Sequence, residues 1–264
     1  MTAGLVVPAW LSPTQQAALV ELVDRNDRVH GDDLLGIVLS GSAGRDYATE
    51  HSDLDVIVVL TDEAASSRST DRSPEVDEIP ERWSDLLTVA PFGTEAWWMR
   101  WSCAWAPVLL DRTGGDLPDA PRRQATLTPV EVDAVLIDHD RLDGWVNFAY
   151  RALKSDRDGR ALESRLDANE SVPWLLDVVF SLAGRVRPYN KYLPWELGTH
   201  PLEGWPAVEL LDLIARTQAG DVAAVRETFT RVRAACASYD DRRGHTRTTD
   251  MIDGWGPELG VLVG

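Results

Sequence analysis

The stretch Leu39–Leu60, LSGSAGRDYATEHSDLDVIVVL, decides how the rest of the chain is read. The apolar run LLGIVLS, Leu34–Ser40, reads as a buried strand that stops at Gly41-Ser42. Small residues there leave backbone N–H groups open to approach, as a phosphate chain requires. The next run, Asp53–Leu60, is rich in β-branched residues and reads as a second strand. Alternation along it turns Asp53 and Asp55 to one face of a sheet. Two carboxylates on one face repel unless something positive stands between them, and a divalent cation does that. Mg²⁺ prefers carboxylate oxygens and takes its remaining ligands from water and substrate phosphates. The stretch therefore predicts a metal–nucleotide site, with Gly41 and Ser42 at the phosphates and Asp53 and Asp55 at the metal. The plainer alternative has Asp53 capping a turn and Asp55 solvated at an edge.

The full chain has 264 residues, room for one large domain or two modest ones. A net charge of −17 argues against a nucleic-acid backbone as main ligand, because phosphodiester binding needs a positive field. It suits a cationic small molecule or a metal-chelated nucleotide, and equally an ordinary acidic surface. Of the 26 basic residues only Lys154 and Lys191 are lysines. Cys103 and Cys236 stand in unrelated contexts and the histidines are scattered, so neither a disulfide framework nor a zinc site is expected. The uncharged N-terminal residues are interrupted by Pro8 and Pro13 and follow no basic stretch. No signal peptide or membrane span is expected, and the cytoplasm is the default location.

Ser12-Pro13 marks an N-cap and first helical residue, and Ala18, Leu19, Leu22 and Val23 give one face of a helix running to about Val29. Residues Thr61–Pro74 read as a polar loop, and Glu75–Leu87 as a short strand entering a helix. Thr94–Trp105 fits helix or strand equally; Pro107–Leu117 reads as a strand ended by a glycine turn. After Thr128-Pro129 helical periodicity dominates to Tyr239, in three or four segments, and the polar tail Arg242–Asp250 is expected to be mobile. The class is α+β: a mixed sheet with helices over residues 1–125, then an all-α helical bundle over 126–264.

With ten residues between Ser42 and Asp53-Leu54-Asp55-Val56, and apolar residues flanking Asp55, the pattern resembles the signature of the DNA polymerase β-like nucleotidyltransferase superfamily. The whole-chain plan is similar to the aminoglycoside adenylyltransferases, the antibiotic-resistance branch. The resemblance implies a third carboxylate on a neighbouring strand, as metal ligand or base. Asp77, in Val76-Asp77-Glu78, is the choice, with Glu78, Glu95 and Asp111 in reserve; Pro80 fits only a strand end or edge. It further implies two Mg²⁺ ions, ATP or another nucleoside triphosphate as co-substrate, and a basic residue of the helical half at the triphosphate. Lys191, beside Arg185 and Arg187 among Tyr189, Tyr192 and Trp195, is assigned that role; otherwise these are cations packed on aromatics. Arg45 either contacts phosphate or forms an ion pair near Asp46.

In the helical half, Asp167, Glu170 and Asp177 fall at spacings that give one acidic helix face. That face would attract a polyamine-like acceptor, with Glu170 as general base, or is simply solvated. Trp145 and Trp174 are candidates for stacking on an acceptor ring or for the core. The expected activity is transfer of a nucleoside monophosphate, AMP from ATP, to a hydroxyl of a small cationic acceptor, by a monomer or homodimer without nucleic-acid or membrane partners. Two rivals remain: an enzyme that adenylylates a protein, as in toxin–antitoxin pairs, and a catalytically silent nucleotide-binding module.

Overall fold

The computed structural model describes residues 4–264. It divides into two compact units, Met1–Thr126 and Leu127–Gly264.

The first unit opens with α1 (Pro13–His30). Ser12 and Gln15 start it with a reciprocal capping box: the Gln15 N–H donates to Ser12 Oγ at 3.3 Å and the Ser12 N–H to Gln15 Oε1 at 3.1 Å. A five-stranded sheet follows, built from β1 (Leu34–Leu39), β2 (Leu54–Leu60), β3 (Asp71–Arg72), β4 (Val76–Arg82) and β5 (Val108–Asp111), in the order β3-β4-β2-β1-β5. β1 pairs antiparallel with β2 and β5, whereas β2 and β4 run parallel, so the sheet is mixed. The segment expected as a loop after Thr61 holds a short helix, α2 (Asp62–Ala65), and the two-residue β3. β3 pairs only with Asp77 and Glu78, which leaves Pro80 on a stretch of β4 hydrogen-bonded on one side alone. That is where a strand tolerates a residue without an N–H.

Period-two alternation covers both faces of β2. Val56, Val58 and Leu60 share a core with Leu19, Leu22 and Val23 of α1. Ile57 and Val59 join Val38, Leu86, Leu117 and Ala120 on the opposite side. Each such fully buried aliphatic side chain contributes about 1.5–3 kcal/mol relative to exposure. Three short helices belong to that second face: α3 (Trp83–Leu87), α4 (Trp97–Cys103) and α5 (Ala120–Ala125). The ambiguous Trp-rich segment is thus helical, with Trp97 and Trp101 buried one turn apart.

The second unit is mostly helical. It comprises α6 (Pro129–Asp133), α7 (Arg141–Arg157), α8 (Ala161–Leu182), α9 (Leu193–Thr199), α10 (Ala207–Ala219), α11 (Val222–Arg243), α12 (Arg247–Asp253) and α13 (Leu259–Val263); six of these begin before Tyr239, where three or four segments were expected. Helical periodicity alone does not show where one helix stops and the next begins. At α10–α11 the break is made by Gly220, at φ +88°, and by the Asp221 carboxylate, which accepts the Ala223 N–H at 2.9 Å. Trp145 and Phe229 stack at 6.1 Å in the core, which takes Trp145 out of the stacking candidates. The tail expected to be mobile is tied down. The buried Asp240 carboxylate accepts the Thr249 N–H at 2.8 Å and the hydroxyls of Thr248 and Thr249 at 2.9 and 2.7 Å. No helix among the described residues is long and apolar enough to cross a membrane.

Candidate metal centre

Because β2 and β4 are parallel and in register, Asp55 lies directly opposite Asp77. Side chains opposed in this way point to the same face, and Asp53, two residues before Asp55, shares it. One oxygen from each of the three carboxylates lies within 4.8 Å of the others, and all three residues are partly buried. Glu78, one residue on, turns to the other face, where it pairs with Arg25 and accepts a hydrogen bond from Asn26 Nδ2 at 2.8 Å. The register therefore selects Asp77 over Glu78. Asp111 accepts from the Thr113 N–H and hydroxyl at 2.8 and 2.7 Å, a turn role, and Glu95 is exposed ahead of α4.

The Gly41 turn is fitted to these acids. Its φ is +60°, and a Cβ on it would lie 1.8 Å from Asp55 Oδ2. Both facts require glycine. Gly44 is equally constrained, since a Cβ there would meet the Leu39 carbonyl oxygen at 2.1 Å. The Ser40 N–H donates to the Asp55 carbonyl at 2.7 Å, fixing the turn to β2 at the acidic residue itself. Ser42 is buried at the start of the short turn Ala43–Arg45.

Arg45 is placed differently from the expected phosphate contact. It is 2% exposed, and its guanidinium donates to the carbonyls of Gly41 (2.8 Å), Trp101 (3.0 Å), Ser102 (3.0 Å) and Ala104 (2.8 Å) while lying 4.2 Å from the Trp101 ring centroid. The last carbonyls of a helix lack intrahelical partners, and a cation satisfies them well. Arg45 thus ties the glycine turn to the end of α4. Three of its four acceptors lie 56 to 59 residues away, out of reach of a local reading.

A residue that the sequence reading passed over is Arg72 on β3. Its Nε lies 3.6 Å from Asp77 Oδ2, and its side chain is 76% exposed. The only signal was a basic residue in a polar stretch, which has no period. Cys103 offers no thiolate on this side of the sheet: burial pushes its thiol up to about 11. Glu81, on the same face of β4 as Asp77, is also raised, chiefly by burial and then by Asp85.

The helical-half candidates have other partners. Arg185 pairs with the fully buried Glu196; Arg187 donates to Asp177 at 3.4 Å and to the Pro173 carbonyl at 2.9 Å. Lys191 is exposed, with Nζ 5.1 Å from the Tyr192 ring centroid. The expected acidic face does not form as drawn, because Asp177 is buried between Arg187 and Arg141, and Asp167 pairs with Arg151 at 3.4 Å. Burial raises the Asp177 carboxyl, against the pull of those two arginines. Glu170 remains exposed. Trp174 is half-buried, with the Arg141 guanidinium 4.2 Å from its ring centroid.

Three carboxylates that converge from two parallel strands form a hard-oxygen donor set, whose mutual repulsion a divalent cation relieves. No family model and no curated protein matches the chain. Among solved structures it is similar to a nucleotidyltransferase-like protein from Exiguobacterium sibiricum 255-15. The match has 13% identity, spans 86% of this chain and 77% of that one, and has a TM-score of 0.37.

Proposed function

We propose that this chain is a Mg²⁺-dependent nucleotidyltransferase of the DNA polymerase β-like kind, which moves AMP from ATP to a hydroxyl of a small cationic acceptor of the aminoglycoside type. The observation that carries this reading is the meeting of Asp53, Asp55 and Asp77 within 4.8 Å, against a glycine turn shaped to the Asp55 carboxylate. Those three residues would hold the metal, which when bound supplies charge neutralisation at the triphosphate and acidifies the acceptor hydroxyl. Gly41 and Ser42 cradle the phosphates. Asp77 takes the hydroxyl proton as the acceptor oxygen bonds to the α-phosphorus. The bond from that phosphorus to the oxygen bridging it to the β-phosphorus breaks, and pyrophosphate leaves. Lys191 is assigned to the triphosphate and Glu170 to the acceptor within the same proposal.

The test is pyrophosphate release from Mg²⁺–ATP, and from the other nucleotides, across a panel of aminoglycosides and other hydroxylated compounds. Release with a mass gain of one nucleotide on a panel member supports the proposal. Binding of nucleotide with no release across the panel speaks for a protein acceptor or a silent module. Asp53→Asn and Asp55→Asn are each expected to lower turnover by at least about a thousandfold, since metal-held charge stabilisation is worth several kcal/mol. The metal-free melting temperature should not fall, because each change removes a repulsion. Mg²⁺ should raise the melting temperature of the parent and not of the variants. Unimpaired turnover in either variant refutes the assignment.

A further inference from the structure

A cavity of about 810 Å³ opens in the Leu127–Gly264 unit, walled by residues of that unit. Its size lies in the range of small-molecule sites. Pro129, Ala183 and Pro201 give it an accessible apolar lining, backed by the buried Val132, Val179 and Leu182, and on α11 the small residues Ala234, Ala235 and Ser238 leave it open. Around this apolar volume the charge is cationic. Arg231, Arg242 and Arg243 of α11 line it together with Arg185, against one carboxylate, Glu203. In a chain of net charge −17, four guanidiniums gather at one cavity, two of them paired with carboxylates and two not.

These arginines are not equivalent. Arg185 is engaged with Glu196, and Arg231 with Glu209 at 3.0 Å and the Gly204 carbonyl at 3.0 Å, over the Trp205 ring. They build the wall. Arg242 and Arg243 are exposed; among the described residues no carboxylate lies within ion-pair distance of either, and Arg243 hydrogen-bonds the Tyr239 hydroxyl on the same cavity wall. Cations in the last turn of α11 also complement the helix dipole, but that role needs no hollow apolar volume beside them. We propose that the cavity binds a small organic anion, apolar in body and bearing a carboxylate, sulfonate or phosphate group, which Arg242 and Arg243 hold while Pro129, Ala183 and Ala235 take the body. A guanidinium suits all three anionic groups, since its planar fork donates two parallel hydrogen bonds.

The probe is anilinonaphthalene sulfonate, an apolar fluorescent anion, titrated into the full-length folded protein alongside the neutral phenylnaphthylamine. One saturable sulfonate site is expected, with the neutral analogue binding at least about tenfold more weakly for lack of charge-assisted bonds. Arg242→Gln/Arg243→Gln should weaken sulfonate binding about tenfold or more at an unchanged melting temperature. Ala235→Trp, which fills the cavity, should remove it, and Asp55→Asn should leave it intact. Absence of a saturable site, equal binding of the neutral analogue, or undiminished binding by the double variant overturns the proposal. A double variant that melts earlier but binds as the parent does would assign the two arginines to the helix end alone.

Discussion

At Gly41 the chain turns through φ +60° with no room for a Cβ, because Asp55 Oδ2 occupies that space. Gly41→Ala therefore strains the backbone and pushes the carboxylate out of the cluster together. The left-handed conformation costs an alanine about 1–2 kcal/mol, and the displaced carboxylate should take metal-dependent stabilisation with it. Thermal melting with and without Mg²⁺ checks both effects; an alanine variant that keeps the Mg²⁺ shift would show that the turn does not position Asp55. Arg45 acts one step further out, through the Gly41 carbonyl. Arg45→Lys keeps the charge but cannot reach four carbonyls, so the turn loosens. Misplacement on the order of 1 Å costs about a hundredfold in rate, and kcat should carry the loss. If KM for the nucleotide rises instead while kcat holds, Arg45 touches phosphate after all.

Between elements, the parallel β2–β4 register turns two aspartates into three. Asp53 and Asp55 were legible because alternation fixes their shared face whatever the strand's neighbours. Asp77 was legible only as one of several acids, since a slip of one residue would have presented Glu78 instead. The acidic face on α8 looked open because its neutralising partners, Arg141, Arg151 and Arg187, come from distant positions in the chain. Fold class was legible for a simpler reason: the change from period two to period three or four is local. Near α9, burial and then Arg185 hold His200 at about 4, well below its ordinary value. Above about pH 6.5 the ring is neutral folded or unfolded, and it contributes no pH dependence. As pH falls from there towards 4 the unfolded chain gains a proton that the folded one refuses, so stability falls with acidification. After discounting for partial exposure this is on the order of 1 kcal/mol. Melting temperatures across that window should fall in the parent and stay flatter in His200→Gln; parallel curves would remove His200 as the cause.

For the molecule as a whole, the charge of −17 acts on the two proposed substrates in opposite senses. A polycationic acceptor is drawn in by the protein's field, whereas Mg²⁺–ATP, still anionic, is repelled until it reaches the metal centre. Salt screens both effects, since the Debye length shortens from about 10 Å at 0.1 M to about 3 Å at 1 M. Raising ionic strength over that range should lower kcat/KM for the acceptor by about tenfold or more, by loss of steering, and leave kcat/KM for nucleotide unchanged or higher. Opposed slopes separate a field effect from general inhibition by salt, which would lower both. The acceptor slope also tests whether the acceptor's charge matters, because a neutral hydroxylated acceptor has no charge for the field to act on. A flat acceptor slope would reduce the acidic surface to a matter of solubility and turn the search towards neutral alcohols.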